Sequence, residues 1–142
     1  MKVLRFIISI LLVSFALNGE TKTKLPCNSL IECDKKADLT SIHRKKITFL
    51  STGIDEFSKD ADMQLLISLY LKRTRSIILE ANGETGYTGE IVLKVSHKPE
   101  YKATQLKKAE EDILFVEQNI SHCSDDQKKQ IEELKVLHKN SQ

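Results

Sequence analysis

From Met63 to Ala81 the apolar positions keep a helical rhythm. Met63, Leu66, Ile67, Tyr70, Thr74, Ile77, Ile78 and Ala81 fall at i, i+3, i+4, i+7, i+11, i+14, i+15 and i+18, one face of a 3.6-residue helix held for five turns. Leu65, Leu69 and Leu71 widen that stripe, which makes this helix the expected centre of the core. It should begin near Ser58 or Asp60, and Asn82-Gly83 supplies its stop. A strand over Ser76–Glu80, paired with Ile91–Val95, is the competing reading.

The flanking segments also read as helices. Ser29-Leu30-Ile31-Glu32 has capping-box spacing, so a first helix is expected from Ser29 to about Leu50, with Leu30, Cys33, Ala37, Leu39, Ile42 and Phe49 inward. Ser51-Thr52-Gly53 offers it a stopping place. A third helix should start near Pro99-Glu100 and end near His122. Leu106, Ala109, Ile113, Val116 and Ile120 form its seam at 3-4-3-4 spacing, with Lys107 and Lys108 reaching Glu111 and Asp112 on the outer side. Ser124-Asp125-Asp126-Gln127 is a second capping box and opens a fourth helix, with Ile131, Leu134 and Leu137 or His138 inward. The short connection joins these last two as a helical hairpin.

The expected fold class is therefore all-α, a small four-helix bundle built of two helical hairpins. Its irregular part is the glycine-containing loop at 83–98, with a short β element over Ile91–Val95 as one option. Three of the five glycines lie there, around Tyr87. Neither GxxxxGK[ST] nor a strand-led GxGxxG is present, so the glycines are no phosphate cradle. Gly86, Tyr87 and Gly89 are the candidate partner-contact loop.

The first nineteen residues change the reading of the remainder. Lys2 and Arg5 precede the apolar run Phe6–Leu17 and the polar Asn18-Gly19, the pattern of a secretory signal peptide over 1–19, cleaved after Ala16 or Gly19. The run is too short for a spanning helix, which needs about twenty residues. On this reading residues 20–28 are a lead-in, 29–142 form one helical domain, and no stable membrane span remains after cleavage. Loss of Lys2 and Arg5 brings the formal net charge from +2 to zero, which speaks against nucleic acid as a partner. Outside the cytoplasm cysteine pairing is the default. Cys27 and Cys33 flank the expected first-helix start and are the favoured disulfide, with Cys33–Cys123 as the rival.

Candidate chemistry is sparse. His43, His97, His122 and Cys123 bring metal-capable side chains, but no HxxxH, HExxH or CxxC spacing is present, and neither a metal nor a cofactor is expected. Glu110-Glu111-Asp112, beside Lys107 and Lys108, reads as a solvated helix face. Arg44-Lys45-Lys46 and Lys72-Arg73-Arg75 read as solvent-facing basic groups. The expectation is a small exported protein, periplasmic or secreted. It would act without catalysis as an interaction or inhibitor/immunity-type module on another envelope or secreted protein, or as a homodimer through the third helix. The alternative is a helical bundle that binds a ligand or metal between its second and third helices.

Overall fold

In the computed structural model, which describes residues 24–142, Ser29 caps helix α1 (Leu30–Asp38) by accepting the Glu32 amide at 3.1 Å. The Glu32 carboxylate reaches back one residue further than a capping box requires, to the Asn28 amide at 3.0 Å. Cys27 and Cys33 are joined in a disulfide with a Cα–Cα distance of 5.2 Å, which ties the incoming chain to the first turn. Cys123 is free and buried. The expected signal peptide at 1–19 lies outside the described residues.

The single helix expected from Ser29 to Leu50 is two helices. After α1 the chain breaks at 39–42 and restarts as α2 (His43–Phe57). Ile42 is extended there and forms an antiparallel bridge with Gly86, while the Ser41 carbonyl accepts the Tyr87 amide at 3.3 Å. Those backbone groups therefore serve a distant segment in place of a helix. Leu39, expected inward, caps α1 at 87% exposure.

Nor does α2 stop at Ser51-Thr52-Gly53. A Cβ at Gly53 would lie 2.9 Å from Leu69 Cδ2 and 3.0 Å from Cys33 Cβ, so this glycine sits at a close approach of α2 to its neighbours.

Helix α3 (Met63–Ala81) opens on Asp62, whose side chain accepts the Leu65 amide at 3.0 Å, and ends at Asn82-Gly83. Ser76–Glu80 is its last turn and not a strand. Its wide stripe serves two cores at once. Leu66 and Leu69 pack with Leu30, Ala37, Leu50 and Ile54 of α1 and α2. Ile67, Leu71, Ile77 and Ile78 pack with Leu106, Ala109, Ile113, Val116, Ile131 and Leu134 of the two following helices. Tyr70 and Phe115 stack between the cores with ring centroids 3.9 Å apart.

The segment at 83–98 is a β-hairpin, β1 (Glu84–Thr88) antiparallel to β2 (Ile91–Lys94), with an irregularity between Glu84 and Gly86. Gly89 and Glu90 form its two-residue loop. A positive φ of 59° at Gly89 and none at Glu90 match a type II′ turn.

Helix α4 (Pro99–Gln118) carries the expected inner Leu106, Ala109, Ile113 and Val116. Ile120 falls beyond its end, in the 3₁₀ turn Ile120–His122, and is 42% exposed. Ser124 and Gln127 complete both halves of the capping box of α5 (Asp125–Asn140), where Ile131, Leu134 and His138 are buried. The described chain thus has five helices and a two-stranded sheet. The helical class holds, and the four-helix count does not.

Candidate functional site

The base of the hairpin gathers polar side chains from four elements. The first turn of α2 supplies His43 and Arg44, and the last turn of α3 supplies Glu80. The segment entering α4 supplies His97, and α4 itself supplies Tyr101. Glu80 is fully buried. Its Oε1 accepts from Arg44 Nε at 2.7 Å and from the Tyr101 hydroxyl at 3.5 Å, with His97 Nε2 at 3.6 Å. The His97 ring lies against Tyr101 at a centroid distance of 4.4 Å. The Glu80 hydrogen bond also raises the Arg44 pKa above its ordinary value.

His43 occupies the adjoining wall, 3% exposed, with its ring edge-on to Tyr87 at 5.7 Å. Burial lowers its pKa and Lys46 lowers it further, while Glu80 and Glu84 act in the opposite sense, so the imidazole is neutral at pH 7. Four buried side-chain atoms among the described residues have no hydrogen-bond partner: His43 Nδ1 and Nε2, Glu80 Oε2 and His97 Nε2. All four belong to this one region. Buried polar atoms are normally paired, so such a concentration singles out the hairpin base.

Gly86, Tyr87 and Gly89 separate into different roles. Gly86, at φ 151°, is buried; a Cβ there would meet the Ser41 carbonyl oxygen at 2.5 Å and Ile42 Cα at 2.9 Å. It is the seat of the hairpin on the α1–α2 connection. Tyr87 is 37% exposed beside His43, and Gly89 stands in open space at the tip. Within the hairpin segment, further exposed apolar side chains lie on and after β2, where Ile91 is 68%, Val92 37% and Val95 47% exposed. The outer edge of β2 has no strand partner among the described residues.

In the sequence His43 and His97 stand as isolated histidines, and Glu80 enters only as the end of a competing strand. One signal was available: a carboxylate between Ile77, Ile78 and Ala81 sits on the inner stripe of the most apolar helix, where it requires a partner. Asp112 carried the same kind of signal next to Ile113. It is buried and paired with Arg73, which removes it from the outer face and leaves Lys108 without that partner. His122 is exposed on its 3₁₀ turn.

Among the described residues, no group of three or more His, Cys, Asp or Glu side chains is placed to hold a metal ion. No helix there is long and apolar enough to cross a membrane.

Fold and site together define a class: a small, mainly helical domain, stapled by one disulfide, that holds a β-hairpin on a buried polar base. No family model, curated protein or solved structure matches the chain.

Proposed function

We propose that the protein is an exported interaction module, of the inhibitor or immunity type, that acts without catalysis on another envelope or secreted protein. The observation that carries this reading is the exposed edge of β2 with Ile91, Val92 and Val95 beside it. An open strand edge is a template for a partner strand, whose main chain supplies affinity while neighbouring side chains supply selectivity. The Glu80 cluster and the Ile42–Gly86 bridge support the reading, because they hold the hairpin in place before any partner arrives. Export rests on the leader-like residues 1–19 and agrees with the Cys27–Cys33 disulfide.

The pairing register places the main-chain groups of Val92 outward. Thr88 and Ile91 flank the two-residue turn and face one another across the ladder, and Val92 is the next, non-hydrogen-bonded position. The test is site-specific photocrosslinking in the exported fraction, from position 91 and from the exposed Lys129 on α5. One adduct of defined mass from position 91, lost in Val92→Pro, is expected. Equal adducts from both positions, or none from position 91, would sink the proposal.

A further inference from the structure

A cavity of about 240 Å³ lies behind Tyr87, enclosed by the end of α1, the first half of α2 and the last half of α3. Its apolar wall is formed by Ala37, Leu50 and Leu79, with the buried Ser76 adding a hydroxyl. His43 closes the back of the cavity with its ring edge-on to Tyr87; its two ring nitrogens have no partner and no accessible surface, so it presents ring carbon there.

The mouth is cationic. Lys46, Lys72 and Arg75 line it, against Asp38 alone. These three cations are not equivalent. Lys72 is held between Asp34 at 2.7 Å and Asp38 at 2.9 Å, so its charge is already compensated. Arg75 reaches Glu133 only at 3.4 Å, with both side chains half exposed, an ion pair worth little. Lys46 has no carboxylate partner among the described residues. Two cations thus remain available at the mouth of an apolar pocket.

We infer that this cavity binds a small amphipathic organic anion, a carboxylate at Lys46 and Arg75 with a compact apolar body against Leu50 and Leu79. The cavity falls just below the range of about 300–1,000 Å³ usual for drug-sized ligands, so the occupant is smaller than those. A bare inorganic anion would satisfy the cations and leave the apolar wall unused. An uncharged hydrocarbon would leave Lys46 and Arg75 unused. This site lies beside β1 and is distinct from the outer edge of β2 proposed above.

Benzoate is the probe, followed by amide and side-chain NMR of the folded chain, with inorganic phosphate as a second arm. Saturable shifts at Ala37, Ser76 and Tyr87 are expected, with half-saturation at about 1 mM or below. Lys46→Gln and Arg75→Gln, both at solvent-accessible positions, should each raise that concentration by about tenfold, the worth of one charge-assisted hydrogen bond. His43→Phe keeps a ring against Tyr87 and should leave binding unchanged, since the ring nitrogens do not reach the cavity. Shifts that rise without saturation overturn the inference, as does benzoate affinity unchanged in both charge variants. Phosphate acting on the same residues with equal strength also overturns it, since the apolar wall would then play no part.

Discussion

Arg73 on α3 grips Asp112 on α4 through two parallel charge-assisted hydrogen bonds, Nε to Oδ2 at 2.8 Å and Nη2 to Oδ1 at 2.6 Å. The third guanidinium nitrogen reaches Ser51 Oγ on α2 at 3.2 Å, and the group lies 5.0 Å from the Tyr70 ring centre. One side chain therefore joins three helices beside the stacked Tyr70–Phe115 pair, where the two cores meet.

Breaking this pair from one side leaves a buried charge without its partner. Arg73→Met or Asp112→Asn should each cost about 3 kcal/mol or more, because both side chains are largely buried, at 14% and 5% exposure. The double variant Arg73→Met/Asp112→Asn should lose clearly less than the sum of the two. Urea denaturation of all four proteins checks this, and additive losses would show that the two charges are not coupled.

Acid should weaken the fold through His43. Burial lowers its folded pKa below the ordinary 6.5, so below that pH the unfolded chain binds a proton that the folded chain refuses. Its contribution is intact above about pH 6.5 and is lost as pH falls toward the folded value, by at most about 1.4 kcal/mol per pH unit. His43→Phe removes this proton uptake. Urea midpoints measured from pH 7.5 to 5.5 should fall less steeply in the variant, and parallel curves would contradict the assignment.

Gly53→Ala should destabilise despite the higher helix propensity of alanine. The propensity gain is about 1 kcal/mol, and overpacking a tight contact costs about 1–3 kcal/mol. The added methyl would meet Cys33 Cβ, which the disulfide restrains, as well as the more yielding Leu69 side chain. A lower melting temperature is expected. A rise would mean that α2 gives way at this crossing.

Thiol labelling separates the three cysteines. Without reductant, iodoacetamide should leave the native chain unlabelled, because Cys123 is only 7% exposed and burial raises its pKa. Unfolding in urea should expose one thiol, and reduction should expose three. Reducing the Cys27–Cys33 bridge should cost about 2 kcal/mol, as expected for a short closed loop. Mass spectrometry counts the labels, and native labelling of Cys123 would contradict its burial.

Elements carried by local rules are legible in the amino-acid sequence. The α3 stripe, the Ser29 and Ser124 caps, Pro99 at the head of α4 and the Cys27–Cys33 staple all depend on residues within a turn or two of each other. The site is much less legible. Arg44 and Glu80 are 36 residues apart, and nothing near either one names the other. Only the presence of a carboxylate on an inner stripe announces that a partner has to exist.

By itself the sequence determined the helical class, the stop of α3 and the start of α5, and it favoured the Cys27–Cys33 pairing, since periodicity, capping and short loop closure act over one or two turns. Tertiary structure alone decided where α1 ends, that α2 runs past Gly53, and that 83–98 is a hairpin. Ser41 and Ile42 give up helical hydrogen bonds to receive Gly86 and Tyr87, and Gly53 lies within a helix that packs closely on Leu69 and Cys33. In each case a contact between residues far apart in the chain outweighs a local preference of about 1 kcal/mol or less.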